Sequence, residues 1–445
     1  MASPIDLAAS FSRSGLAPGA PRWWQTFQDR ELNRLVEGGL ENNFSLQASF
    51  HRVEQARSQV RVAGAQLFPT LDTSAESRRS EQLTESGGSG VQNLLGGGTV
   101  SRGASAVSLD WTFGLTTRYE LDLWGRLRSR RNAARLEAEA TRQELETARL
   151  ALVVSIASAW FQLREQEATL GLLRSQEKTN QQQLSLIKKR LRSGLASALD
   201  VAQQEQLVEA TRGRIEVTSR RAAVLENALA VLTGESPISF ELAAPASLPG
   251  LPPQPESGLP AERILARPDV QSASLAVQVA DQEVFGAIAE RFPRLVLTAS
   301  LQSQAENWRA VFEDWLSTLI GDLGLPLFDA GSRAAAVDQA RSAREEAWDT
   351  FGETLLGALQ EVEDALDREY RQQRLVSSLE RQLAAAETAV ERARSTWLRG
   401  QESYLRVLTA TRDQQTLSLD LLAARRELLG YRIDLHAALA GPLSP

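Results

Sequence analysis

The run Leu150-Ala151-Leu152-Val153-Val154-Ser155-Ile156-Ala157-Ser158-Ala159-Trp160-Phe161-Gln162-Leu163 is the most apolar in the chain, and its spacing decides the fold. It is interrupted by Ser155, Ser158 and Gln162 and falls short of the ~20 residues that cross a bilayer as a helix. Outward from it, Leu145, Leu152, Ile156, Ala159, Leu163, Leu170 and Leu173 step by threes, fours and sevens, which is a coiled-coil seam. No Gly or Pro interrupts the chain between Gly125 and Gly171, and the pattern runs on to about Arg192. A second run, about Ser332 to Leu398, carries Trp348, Phe351, Leu355, Ala358, Val362 and Ala365 at the same spacing. Roughly 65 residues at 1.5 Å each predict helices about 100 Å long.

Each long helix meets a glycine turn, Ser193-Gly194-Leu195-Ala196-Ser197 or Arg399-Gly400-Gln401-Glu402-Ser403, and a return helix follows, about 198–232 and about 404–439. The pairing extends further. Phe68-Pro69-Thr70-Leu71 recurs as Phe292-Pro293-Arg294-Leu295, 224 residues on (293 less 69), and Gly125 matches Gly331 at 206 (331 less 125). Gly194 matches Gly400 at that second offset, so one length difference falls between Pro69 and Gly125, where Ser86 to Gly98 reads as a glycine-rich loop. Two tandem repeats result, 1–241 and 261–445, joined across 242–260 by an extended strap dense in proline (Pro245, Pro249, Pro252, Pro253, Pro255, Pro260).

Between helices, each repeat holds two strand-like segments, about 69–80 and 105–120 in the first and about 293–303 and 314–326 in the second. Val107 to Leu115 alternates cleanly, apolar on one face and small or polar on the other. Four strands cannot close a barrel, and open sheet edges are not tolerated in lipid. Three chains of four strands would give about twelve, within the range of outer-membrane barrels.

Composition narrows the function classes. A net charge of −7 argues against nucleic-acid binding, which needs a basic surface. With no cysteine there is no disulfide, thiolate metal site or cysteine nucleophile. His51 and His436 lie far apart on separate helices and read as structural rather than metal ligands. The acids of Glu361-Val362-Glu363-Asp364-Ala365-Leu366-Asp367-Arg368 sit beside arginine at helical spacing, a solvated face rather than an acid/base pair. No phosphate loop, nucleophile elbow or zinc helix is present, so no cofactor, metal or enzyme activity is expected. Met1 to Ser12 has neither the basic start nor the apolar core of a secretory leader.

Three runs carry a family signature: Trp23-Trp24-Gln25-Thr26-Phe27-Gln28-Asp29-Arg30-Glu31-Leu32, Phe68-Pro69 before the first strand, and Tyr119-Glu120-Leu121-Asp122-Leu123-Trp124-Gly125-Arg126 after the second. With the duplicated plan they resemble the TolC and OprM family of outer-membrane factors, in the lipoprotein branch serving resistance-nodulation-division pumps. The resemblance implies a mostly α subunit with a small β part. Three such subunits would form a homotrimer, with a 12-stranded β-barrel in the outer membrane of a Gram-negative bacterium and a long periplasmic α-helical barrel. It implies a passive duct for drugs or other small toxic compounds, partnered by a periplasmic adaptor, an inner-membrane pump and outer-membrane lipid. Type I secretion is the alternative within the family, and a soluble coiled-coil scaffold the alternative outside it. Branch members usually begin at a lipid-bearing cysteine, which this sequence lacks.

By the same resemblance, the helix tips constrict to a closed aperture. The positions commonly acidic there fall on Arg406 and Thr409, so that pair of carboxylates is missing. Asp200 matches a gating aspartate, expected to link to a basic residue such as Arg406, and Trp397 fills the place of an aromatic latch. Gly194, Leu195, Ser197, Gly400, Gln401 and Ser403 are where adaptor hairpins would dock. All of these also read as ordinary tip residues. Trp111, Phe113, Trp308 and Trp315 lie in or near strands, as an aromatic girdle at the lipid boundary or as core.

Overall fold

The computed structural model describes residues 10–17, 22–84, 104–242, 245 and 247–441. The leader reading at residues 1–9 and the glycine-rich loop at 86–98 lie outside the described residues. A 3-10 turn at Trp23–Phe27 leads into α1 (Arg30–Asn42), α2 (Phe44–Ala65), β1 (Thr70–Thr84), β2 (Ala104–Leu121), α3 (Arg126–Arg192) and α4 (Ala198–Thr233). Then come α5 (Pro260–Leu265), α6 (Pro268–Ala289), β3 (Arg294–Ala305), β4 (Leu316–Gly324), α7 (Ser332–Leu398) and α8 (Tyr404–Leu439).

Both long helices have the expected bounds, at 67 residues each, and both return helices have 36. Starts of α2 and α6, and of β1 and β3, differ by 224 (268 less 44, 294 less 70); starts of α3 and α7, and of α4 and α8, differ by 206 (332 less 126, 404 less 198). The strands depart from expectation at their ends. The β1–β2 hairpin extends to Thr84 and Ala104, because the two strands keep pairing beyond their clean alternation. In contrast β4 is cut to Leu316–Gly324, and Trp315 stays outside it, its indole N–H donating to Phe312 O at 3.3 Å.

The chain falls into two units, one of residues 1–55, 138–277 and 346–445, the other of 56–137 and 278–345. In the first, the seam of α3 is the core: Leu145, Leu152, Ile156, Ala159 and Leu163 are buried with Leu32, Leu35, Val36 and the aromatic trio Trp23, Trp24 and Phe27. On α7 the matching stripe, Phe351, Leu355, Ala358, Val362 and Ala365, is buried with Ile264, Val270, Val277 and Phe11. Each buried Leu, Ile, Val or Phe among them contributes about 1.5–3 kcal/mol by leaving water.

The strap has no helix or strand of its own between Ser247 and Leu259, apart from a bridge between Ala17 and Pro255. An extended proline-rich segment leaves its carbonyls unpaired. Two buried arginines supply donors: Arg164 of α3 to Ser247 O and Arg432 of α8 to Pro252 O. Each arginine is in turn neutralised by a carboxylate, Arg164 by the part-buried Asp29 (2.5 Å) and Arg432 by the buried Glu369 (2.5 Å). Glu369 lies one residue beyond the α7 acids read as a solvated face and differs from them, since it lies in phase with Val362 and Ala365 and is 1% exposed.

His436 stacks on Trp23 (ring centroids 5.5 Å apart, 9° between planes) and meets Phe27 at 6.4 Å. Burial, with the nearby Arg432 charge, pushes its pKa down to about 4. Folded His436 is therefore neutral where the unfolded chain, near 6.5, has begun to bind a proton. Stability contributed by the neutral ring is full above about pH 6.5 and falls as pH drops towards 4, by up to ~1.4 kcal/mol per pH unit. Thermal unfolding of the detergent-solubilised protein between pH 7 and 4 should show this slope. In His436→Phe, which keeps the stack, that component should disappear.

Candidate functional site

At the turn after α3, Leu195 N–H donates to Arg190 O and Gly194 N–H to Leu191 O, with Gly194 at φ +68°. The turn after α7 repeats this: Gln401 N–H to Thr396 O, Gly400 N–H to Trp397 O, and Gly400 at φ +76°. Both are Schellman caps, which require the left-handed backbone glycine adopts freely. Leu195, Leu199, Leu398 and Leu405 project from these turns as exposed apolar side chains. Leu199 and Leu405 close the two turns expected to dock an adaptor and occupy matching places in the two repeats.

Downstream the turns differ. Ser197 caps α4 in a reciprocal box: Asp200 N–H donates to Ser197 Oγ (3.1 Å) and Ser197 N–H to Asp200 Oδ2 (2.8 Å). Ser403 caps α8 without a side-chain bond, and Arg406 pairs with Glu402 at 2.8 Å. The expected link between Asp200 and Arg406 is therefore not made within the chain, because each group has a partner within its own turn. Thr409 is exposed.

Trp397 is buried with Ile187, Leu207, Tyr404, Val407 and Leu408. Its ring lies 5.3 Å from that of Tyr404, and the Arg190 guanidinium sits 4.6 Å over it. Tyr404 donates to Gln204 Oε1 (2.5 Å), Gln204 to Asn180 O (2.8 Å), and Gln415 to Asn180 Oδ1 (2.9 Å). Burial raises the Tyr404 pKa well above its ordinary value, so the phenol stays a donor. This polar ladder across α3, α4 and α8 was not foreseen.

The second unit holds one antiparallel sheet, ordered β1-β2-β3-β4. Residues opposite each other share a face. The register places Tyr119, Thr117, Leu115, Phe113 and Trp111 of β2 opposite Leu297, Ala299, Leu301, Ser303 and Ala305 of β3, while Leu295 and Ala299 face Leu323 and Leu319 of β4. Between Leu121 and Trp111 that face carries no charged side chain, its polar positions being Thr73, Ser77, Thr117, Ser303 and Ser317. The other face carries Asp72, Glu76 and Arg78 of β1, Asp110 and Arg118 of β2, Gln302 and Gln304 of β3, and Asp322 of β4. From Leu121 to Trp111 the apolar face covers ten steps of ~3.4 Å, which at a strand tilt of ~40° gives a height of ~26 Å, close to the ~25 Å band of outer-membrane barrels.

Aromatics mark both ends of this band. At one end Phe113 packs against Phe312 (5.7 Å) and Trp315 (5.9 Å), and Trp111 lies opposite Ala305, while Trp308 stands exposed in the β3–β4 connection. At the other, Trp124 stacks on Phe292 at 4.8 Å and donates its indole N–H to Pro293 O at 2.8 Å. The Trp-Gly marker of the first repeat thus meets the Phe-Pro marker of the second.

A sheet polar on one face and apolar on the other, over the height of a bilayer's hydrocarbon band, is the wall of an outer-membrane channel. The family model described as outer membrane efflux protein matches residues 35–235 and 259–441, and the chain belongs to that family. It is 29% identical to the solvent efflux pump outer membrane protein SrpC of Pseudomonas putida over 96% of this chain and 88% of that one. Identity to the pyoverdine export outer membrane protein OpmQ of Pseudomonas aeruginosa is 30%, over 99% and 93%. It superimposes on the open state of the Neisseria gonorrhoeae MtrE outer membrane channel with a TM-score of 0.85 at 25% identity, covering 100% and 98%. The protein is an outer-membrane efflux channel component, mostly helical with a small antiparallel sheet, and serves as the exit duct of a tripartite system. The family is one of channels, not of enzymes.

Proposed function

We propose that three copies of this chain close one twelve-stranded barrel and carry drugs or other small toxic compounds passively out of the cell, with no catalysis of their own. One observation carries the reading: the sheet has open edges at β1 and β4 together with an apolar face, and a lipid-embedded sheet must have every edge paired. Trp111, Phe113, Trp308 and Trp315 then anchor the outer rim in lipid. The two stretches matched by the family model support division of the chain into repeats 1–241 and 261–445 joined by the strap 242–260.

Gly194, Leu195, Ser197, Gly400, Gln401 and Ser403, with the exposed Leu199 and Leu405, form the surface for the helical hairpins of a periplasmic adaptor, itself coupled to an inner-membrane resistance-nodulation-division pump. Asp200, Trp397, Arg406 and Thr409 set the aperture, Trp397 through the packing of the helix ends and Arg406 through exposed positive charge. The resting duct is closed.

Mass measurement in detergent should give a trimer, and planar bilayers should give a low single-channel conductance. A monomer that needs no detergent overturns the barrel; a trimer of high conductance overturns only the closed state.

A further inference from the structure

The first ten residues of α3 contain Arg126, Arg128, Arg130, Arg131 and Arg135, and no acid appears before Glu137, in a chain of net charge −7. Cations at a helix N-terminus oppose the positive end of the macrodipole, so the arrangement is unfavourable unless anions lie nearby. Two of the five are answered within the chain: Arg126 pairs with Glu120 at 2.8 Å and Arg128 with Asp122 at 3.1 Å. Arg130, Arg131 and Arg135 are exposed and have no ion pair or hydrogen bond among the described residues.

The equivalent stretch of α7 is built differently. Positions matching Arg130 and Arg131 are Ala336 and Val337, and the arginines that do occur are paired, Arg333 with Asp329, Arg341 with Asp338 and Arg344 with Asp281. Farther along α3, Arg142 and Arg149 are likewise each matched by an acid three residues earlier. Three cations without an ion pair therefore stand together in one place, the start of α3. That place adjoins the sheet: Arg130 and Arg131 lie ~6 to 8 Å along the helix from its start, immediately after the strand end. At the same end the sheet presents exposed Phe68, Trp124, Phe292, Leu327 and Phe328. Arg291, next to Phe292, adds another exposed cation.

An aromatic rim followed within a few ångströms by unpaired arginines matches a bilayer surface, hydrocarbon first and phosphate next. We propose that Arg130, Arg131 and Arg135, with Trp124 and Phe292 as the apolar rim, form a collar for the phosphate headgroups of anionic phospholipid in the periplasm-facing leaflet. The inference rests on the membrane-barrel reading above and adds a preference for lipid charge.

The test uses the full chain in detergent, supplied with phosphatidylglycerol or with phosphatidylcholine of the same acyl chains, and native mass spectrometry to count retained lipid. Wild type should retain phosphatidylglycerol preferentially, and the preference should fall as salt rises. Arg130→Gln/Arg131→Gln/Arg135→Gln should reduce it roughly ten-fold, while Arg192→Gln, at the far end of α3, leaves it unchanged. Equal retention of both lipids by the wild type, or an undiminished preference in the triple variant, overturns the collar alone. The same spectra report subunit number, so a detergent-independent monomer overturns the collar and the barrel together.

Discussion

Replacing Arg432 by methionine is expected to destabilise the protein by about 3–5 kcal/mol, the cost of leaving a carboxylate buried without its counter-charge. Arg432 and Glu369 are each 1% exposed and meet through two contacts, Nε at 2.7 Å and an Nη at 2.5 Å. The remaining Nη donates to Pro252 O, so the variant also orphans a strap carbonyl. Glu369 keeps one neutral donor, Gln373 Nε2 at 3.1 Å, which cannot replace the guanidinium charge. The double variant Arg432→Met/Glu369→Met removes both charges and should recover most of the loss, because apolar replacement of a buried pair is often near neutral. Chemical denaturation followed by circular dichroism reads both quantities. Equal destabilisation in the single and double variants would show that strap and packing, not the unpaired charge, set the effect. Limited proteolysis between Ser247 and Leu259 should accelerate in both variants, since neither ties Pro252.

The period of the apolar stripes made the helices legible, and glycine at Gly194 and Gly400 marked where they stop. The register of the sheet was partly legible: Val107 to Leu115 announces its two faces, whereas Thr70 to Ser77 is so polar that only pairing with β2 shows which side each residue takes. Buried polar groups were not read, although the signal existed. Glu369 falls in phase with the apolar Val362 and Ala365, Arg432 with Leu428, Leu429 and Leu435, and Asn180 with Leu173 and Ile187. Composition treats such a residue as one more charge on a helix; its phase places it in the core, where it must find a partner. Asp200 carries a signal of another kind: Ser197-Ala198-Leu199-Asp200 is a helix-start signature readable from spacing, and within the chain its carboxylate closes that local box.

Asp29→Ala is expected to cost about 4 kcal/mol or more, because one carboxylate serves two structures. Its Oδ1 caps α1, accepting from Glu31 N–H at 3.0 Å and Leu32 N–H at 3.1 Å, which is worth about 1 kcal/mol. Its Oδ2 accepts from Trp160 Nε1 at 2.8 Å and Arg164 at 2.5 Å, and the loss of that buried partner adds about 3–5 kcal/mol. Asp29→Asn keeps a capping oxygen but loses the charge, so it should fall between wild type and alanine. Trp23, Trp24 and Trp160 are all buried beside this joint, so a red shift of tryptophan emission at low denaturant would report its opening ahead of global unfolding. Unfolding midpoints for both variants equal to wild type would refute the joint. The opening Trp-Trp, Phe, Asp and Glu-Leu of the family signature then has a physical meaning: the aromatics fill the surface of α3 beside Ile156 and Phe161, and the aspartate locks α1 to the same helix. Arg164, held by Asp29, in turn ties the strap at Ser247. Loosening at residue 29 should therefore reach the strap, and faster cleavage after Ser247 in Asp29→Ala than in Asp29→Asn would trace that path.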